Sequence, residues 1–201
     1  GNKQFEARKG LLMVVGGLGM LWGGLALFGA VEQAFAVIYH AKPREFLPQK
    51  VMSIAMIFLF TVFGGIAIAS SLALPAVPEI PGAPDALKGG LSLLVQVVIG
   101  LVSGTLLFLA IYYVVPNRPQ KFSQVWSGAL LAGTLFELVS LVFPIYISLT
   151  NSAVIYGKTF GLFFVVLTFF FFFGLITMIG VEFNSVLYPV PIEQPARGDV
   201  I

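Results

Sequence analysis

Cysteine is absent from this chain, which excludes disulfides, a thiolate nucleophile and any thiolate-held metal. Histidine occurs once, at His40, so a His-rich metal centre lacks ligands. Charged residues make up 10% of the sequence, against about 25% in an average soluble domain. The net charge is +2 with the basic residues scattered; no dense cationic run offers a nucleic-acid surface, and no partner of that kind is expected. Nothing here calls for a metal or a cofactor. Alternation is missing too. Residues 162–173 read LFFVVLTFFFFF, whereas a membrane β-barrel needs segments of about ten residues alternating apolar and polar.

What remains is apolar sequence in long runs. Residues 11–31, 51–74, 89–115, 125–150 and 159–181 are each long enough to cross a bilayer as a helix, and Glu137 is the one charge inside them. In hydrocarbon every backbone N–H and C=O must be satisfied within the protein, which leaves helices once a barrel is excluded. The expected fold is all-α: a polytopic helical membrane protein, one transmembrane domain over 1–201 with five spans and a C-terminal tail, 189–201. The first residue is Gly1, and Lys3–Lys9 is a polar lead that resembles neither a signal nor a transit peptide. The chain is therefore expected to begin inside a longer protein, and an odd number of spans fits a missing first helix.

Prolines and charges mark the breaks. The first helix should continue past Val31 to about Ala41 and end at Lys42-Pro43-Arg44, since proline has no N–H to extend the ladder. Four prolines in Pro75–Lys88 argue against regular helix there. Pro116-Asn117-Arg118-Pro119 stops the third span, Thr150-Asn151-Ser152 ends the fourth, and Pro144 predicts a kink inside it. The fifth helix should run from about Lys158 to Tyr188. Basic residues in short loops face the cytoplasm. Lys42, Arg44, Lys50, Arg118, Lys121 and Arg197 fall on one side; Lys3, Arg8, Lys9, Lys88 and Lys158 fall on the other, six against five. The first side, with the C-terminus, is expected to be cytoplasmic.

Helix positions three, four and seven apart share a face. Gly89, Ser92, Gln96, Gly100 and Ser103 follow that spacing in the third span; Gly133, Thr134, Glu137, Ser140, Pro144 and Ser148 do so in the fourth. Gly19/Gly23, Gly100/Gly104 and Gly157/Gly161 are small-xxx-small pairs. Lipid tails are as apolar as leucine, so membrane helices associate through close approach at small residues and through interhelical hydrogen bonds. These stripes, Gly133 included, are expected to face the bundle interior. The run Phe169–Phe173 is expected to face lipid. Tyr112, Tyr113, Tyr146, Tyr156 and Trp126 suit an interfacial aromatic belt, and His40 suits a solvated interface.

Glu137 is the residue hardest to place. A charged side chain at mid-bilayer costs about 2.5–3.5 kcal/mol on insertion scales. It fits two roles, a carboxyl tying helices together or a proton or headgroup site. Glu182 and Asn184, near the end of the fifth span, and Glu32, after the first, are candidates for an interfacial polar site.

The segments Tyr112–Arg118 (YYVVPNR), Trp126–Tyr146 (WSGALLAGTLFELVSLVFPIY), Ile155-Tyr156-Gly157 and Gly180–Asn184 (GVEFN) together resemble the YihY/BrkB family of bacterial inner-membrane proteins. Glu32–Tyr39 (EQAFAVIY) resembles a further family segment, with Ala36 where the family usually has Asn. The resemblance implies six transmembrane helices with both termini cytoplasmic in a full-length protein, so that this chain lacks the first. It also implies a role in moving lipids or in envelope assembly, in a family once labelled ribonuclease BN.

A ribonuclease reading fails on chemistry, because metal-dependent phosphodiester hydrolysis needs a cluster of carboxylates or histidines that this sequence does not offer. No enzyme activity is expected. The leading expectation is a transporter or flippase-like protein for a lipid or other amphiphile. Glu137, Gln96, Tyr146 and Ser140 are candidates along its path, and membrane lipids are its partners. Tyr146, nine residues from Glu137, projects from nearly the opposite face. The alternative is a membrane scaffold that packs against envelope proteins or a second copy. Because the chain has no cysteine, its topology is open to single-cysteine labelling. Asp85→Cys should react with an impermeant maleimide in intact cells and Arg118→Cys should not; the reverse pattern would overturn the orientation.

Overall fold

The computed structural model of the chain describes residues 2–73, 85–150 and 157–189. Five helices occupy them, with no strand among the described residues: α1 (Asn2–Ile38), α2 (Phe46–Ala73), α3 (Asp85–Val114), α4 (Phe122–Thr150) and α5 (Gly157–Leu187). All five are long and apolar enough to span a membrane. The protein is an all-α polytopic membrane protein.

The helix ends correct the sequence expectations in two places. α1 stops at Ile38 rather than Ala41. The His40 N–H donates to the Val37 carbonyl at 3.3 Å and the Ala41 N–H to the Ala36 carbonyl at 2.9 Å. His40 takes a positive φ of 50° between them, giving a left-handed helix stop of the Schellman type. Histidine is among the few non-glycine residues enriched in that conformation. α3 is already helical at Asp85, immediately after Pro84, so the last four residues of the proline-rich stretch belong to the helix; an acidic residue there complements the helix dipole. The rest of that stretch, and the Thr150-Asn151-Ser152 break beyond Thr150, lie outside the described residues. α4 is helical on both sides of Pro144.

Each helix packs on the next, α3 on α4 most extensively, and α5 returns to touch α1. Among the described residues the buried apolar core lies in one half of this arrangement. It is built from Phe28–Tyr39, Met52–Met56, Leu107–Val115, Val125–Ala132 and Phe173–Val181, the ends of the helices that meet at turns 39–45 and 115–121. We call this the closed end. At the other end Leu11, Met13, Met20, Trp22, Leu94, Ile145 and Phe163 are all exposed. Within the closed end the aromatics interlock: Phe173 stacks on Phe108 (5.6 Å, 27°) and meets Phe60 edge-on (5.6 Å, 89°). Phe173 is therefore core, against the lipid-facing expectation for residues 169–173, while Phe170 and Phe171 are exposed.

Glycine decides where the helices touch. A Cβ on Gly133 would come within 2.5 Å of Thr105 Oγ1 and 2.7 Å of its backbone nitrogen, and one on Gly104 would lie 3.7 Å from the Gly133 Cα. A methyl on Gly128 would overlap the Gly180 carbonyl and the Asn184 side chain, and one on Gly180 would overlap the Tyr112 hydroxyl. Tyr112, placed by the sequence in the interfacial belt, is fully buried instead. Gly161 is buried and Gly157 is the first residue of α5. Gly19 and Gly23 differ: among the described residues nothing lies within 4 Å of a Cβ added to either. Gly128→Ala should therefore lower stability by about 1–3 kcal/mol, the usual cost of overpacking. Gly19→Ala should leave it unchanged in a thermal melt of the purified chain in detergent.

Candidate functional site

Two polar knots hold the closed end together. In the first, Glu32 of α1 is 1% exposed and pairs with Arg44 at 3.1 Å. Glu32 Oε1 accepts from both the Arg44 backbone N–H (3.0 Å) and its guanidinium. The same guanidinium donates to the carbonyls of Val114 (3.0 Å), Val115 and Pro116 (3.3 Å). The last carbonyls of a helix have no partner within it, so Arg44 caps α3 and neutralises a buried carboxylate of α1 together. Asn117 adds a bond from its Nδ2 to the Lys42 carbonyl at 3.0 Å.

In the second, Asn184 of α5 is 2% exposed. Its Oδ1 accepts from the Gly128 N–H at 2.8 Å and the Ser127 hydroxyl at 3.2 Å, and its Nδ2 donates to the Val125 carbonyl at 3.3 Å. The Tyr112 hydroxyl donates to the Thr177 carbonyl at 3.0 Å, carrying the connection to α3. Glu32 and Asn184 are thus buried anchors. Glu182, between them in expectation, is exposed and lines a groove of about 600 Å³ with Ile38, Leu131, Met178, Ile179, Phe183 and Val186.

Beside the first knot lies a third polar group. The Arg118 guanidinium sits 4.4 Å from the centre of the Tyr39 ring, and the Gln120 side chain lies next to the Tyr39 hydroxyl. Tyr39 is 3% exposed, and burial raises its pKa above the ordinary 10.0, with Arg118 and Gln120 opposing the rise and Glu182 adding to it.

Glu137 occupies the boundary between closed and open halves, one helical turn beyond the Gly104–Gly133 contact. Its carboxyl rests on Gly100, where an added methyl would overlap it. No hydrogen bond or ion pair joins it to another described residue. Gln96, one turn from Gly100 along α3, is half-buried; Ser140 is exposed. Tyr146 is not part of this arrangement. It lines an apolar groove of about 570 Å³ between α4 and α5 with Val142, Phe143, Phe164, Thr168 and Phe171.

Tyr112, Val114–Asn117, Ser127, Gly128 and Asn184 of these two knots fall in the segments Tyr112–Arg118, Trp126–Tyr146 and Gly180–Asn184, while Glu32, Lys42, Arg44, Val125 and Thr177 lie outside them. The family model described as Virulence factor BrkB matches residues 2–197. The chain belongs to this family. A UPF0761 membrane protein of Photobacterium profundum is 30% identical over 166 residues, covering 77% of this chain and 48% of that protein. One of Idiomarina loihiensis is 28% identical, over 66% of this chain and 46% of its own length. The ribonuclease-like protein YfkH of Bacillus subtilis is 26% identical over 96% of this chain and 73% of its own. The chain spans about half the length of the first two relatives. No solved structure matches.

Sequence reasoning passed over Arg44, Tyr39 and Gln120, and saw Gly128 and Gly180 only as letters within a resemblance. Arg44 and Arg118 had entered the orientation count as loop charges, and no periodicity could reveal that Arg44 points back into the bundle. Removing one partner of a buried ion pair strands the other, at a typical cost of about 3–5 kcal/mol. Arg44→Ala should therefore destabilise the protein far more than Glu32→Gln, read by thermal melts in detergent. The raised Tyr39 pKa has a sign of its own. Below pH ~10 the phenol is neutral folded and unfolded; above it the unfolded chain ionises first, so stability falls as pH rises through the folded pKa. Tyr39→Phe should remove that part of the alkaline loss in melts compared across the range.

Proposed function

We propose that this BrkB-family membrane protein moves a lipid or other amphiphile across the bacterial inner membrane during envelope biogenesis. It would act as a transporter of flippase type, with its C-terminus and closed end on the cytoplasmic side. The observation that carries the reading is Glu137, a carboxyl midway along α4 with no partner among the described residues and a glycine, Gly100, beneath it. An intramembrane carboxyl that a protein neither pairs nor excludes is costly to keep, and a ligand headgroup or a transferred proton would meet that cost. Gln96 lies on the same side of α3, and the α4–α5 groove has the apolar lining and the volume typical of ligand pockets. Tyr146 and Thr168 bring hydroxyls to that groove, where an acyl chain would lie.

Catalysis is not part of this reading. No three acidic or histidine side chains among the described residues converge on one point, and Glu32 is committed to Arg44. The second reading, a scaffold for an envelope assembly complex or a homo-oligomer, draws on the apolar surface of α1. Leu11, Met13, Met20 and Trp22 are exposed there, and Gly16, Gly19 and Gly23 stand open.

The full-length protein reconstituted in liposomes with a fluorescent phospholipid distinguishes the two. Glu137→Gln should melt like wild type and move lipid at least about tenfold more slowly, ~1.4 kcal/mol in barrier. Gly100→Ala, which displaces the carboxyl without altering it, should slow transfer in the same direction. A Gln variant that melts early yet moves lipid at the wild-type rate would assign Glu137 to structure and overturn the proposal.

A further inference from the structure

At the closed end, several buried polar atoms have no partner. Tyr39 Oη, Arg118 Nη1 and Gln120 Nε2 are each shut from solvent and none makes a hydrogen bond of full geometry among the described residues, although the Gln120 side chain lies within reach of the Tyr39 hydroxyl and acts on it. They belong to one cluster, with the guanidinium over the Tyr39 ring and the Gln120 amide beside its hydroxyl. Buried side-chain donors are paired in the great majority of cases, and an unpaired one calls for an explanation. Here three coincide.

All three offer hydrogens. A guanidinium nitrogen and an amide nitrogen donate and cannot accept, while the phenol donates one proton and also accepts through its oxygen. Donor hydrogens therefore outnumber the buried acceptors of the cluster, which carries one fixed positive charge. A water molecule supplies acceptor lone pairs and leaves the charge; an anionic oxygen supplies both needs. Glu182, the carboxylate at this end of α5, is exposed and makes no ion pair with Arg118, and its effect on the Tyr39 hydroxyl ranks behind that of Arg118. Position supports the same class of ligand. Arg118 lies four residues beyond the end of the α3 span at Val114, at headgroup depth, where basic pockets between helices meet lipid phosphates.

We propose that Tyr39, Arg118 and Gln120 form a binding site for a phosphate-class oxyanion, carried on a lipid headgroup or free in solution. Arginine suits such a ligand because its planar fork matches phosphate oxygens. Access is built into the turn. Arg44 and Asn117 fasten it at Val114–Asn117, and the Lys121 N–H is held by Gln124 Oε1 at 3.0 Å. Arg118–Gln120 is the stretch between those fastenings, and entry of the anion would require it to lift from Tyr39. This site is remote in sequence and in function from Glu137, and it stands whether the protein moves lipid or anchors a complex.

The test uses full-length protein in a non-ionic detergent, titrated with a short-chain phosphatidic acid, with inorganic phosphate, and with a phosphate-free diacylglycerol glycoside. Binding is read by native mass spectrometry and by calorimetry. Phosphatidic acid should bind, and Arg118→Gln and Gln120→Leu should each weaken it by about tenfold. Tyr39→Phe, which removes one oxygen and keeps the ring, should weaken it by a smaller factor. Lys121→Gln, an equal loss of charge on the exposed side of the same turn, should change it less than about twofold. Inorganic phosphate bound with comparable strength and the same mutational pattern assigns the site to free anion; phosphatidic acid bound alone assigns it to a lipid headgroup. Equal binding of the glycoside, or an equal loss in Lys121→Gln and Arg118→Gln, would overturn the proposal. So would unchanged binding in variants whose melts show them folded.

Discussion

The closed end depends on one side chain, Arg44, which answers three needs at once. Glu32 lies two turns inside α1 with no water to solvate it; the last carbonyls of α3 have no residue downstream to bond; and the 39–45 connection has to stay against the bundle. A lysine would satisfy one of these. The planar guanidinium reaches Glu32 and the carbonyls of Val114, Val115 and Pro116 together, because its donors fan out in a rigid plane. α1 packs on α2 and touches α5, and Arg44, bonded to Glu32 on one side and to the α3 carbonyls on the other, is what ties it to the end of α3.

Beyond the clasp the helices cohere by the logic of a membrane interior. Apolar burial contributes little when lipid is the competing solvent, so cohesion comes from backbones brought close and from polar groups matched across helices. Both devices coincide at α4 and α5. Gly128 and Gly180 let the helices approach until the Gly128 N–H meets Asn184 Oδ1, and Tyr112 binds the Thr177 carbonyl from the third side. The polar residues consumed in this way are silent chemically. Glu137 at the boundary of the two halves and the Tyr39–Arg118–Gln120 group at the closed end are not spent in this way, and they are the groups proposed to meet a ligand; Glu32 Oε2, Ser53 Oγ and Thr105 Oγ1 are buried without a partner among the described residues as well.

This division explains how unevenly the site was legible. Glu137 stood out because a carboxyl in a hydrophobic run is anomalous in any fold. Gly133 and Gly100 were legible for the same reason that glycines recur at close crossings. Glu32 and Asn184 were visible as polar letters near span ends, yet their burial was not, since a residue at the end of an apolar run can face a headgroup or a neighbouring helix with equal periodicity. Tyr112 illustrates the limit: beside Tyr113 in sequence, it is buried while Tyr113 is exposed, a difference set by which side of α3 meets α5.

The sequence by itself determined that there would be five membrane-spanning helices among the described residues, and roughly where, because hydrocarbon leaves the backbone no other way to satisfy its hydrogen bonds and because prolines and charges interrupt the runs. That is a local argument and needs no tertiary information. Only the tertiary structure decided which polar groups are partnered. Apart from Glu32 and Arg44, the partners in the two knots lie 56 to 75 residues apart, as with Asn184 and Gly128 or Asn117 and Lys42, and no pattern along one helix specifies the rotation and depth at which two helices meet. Glycine could mark that a close approach was available at Gly19 and Gly128 alike; the packing of the neighbouring helices determined that it was used at Gly128 and left open at Gly19.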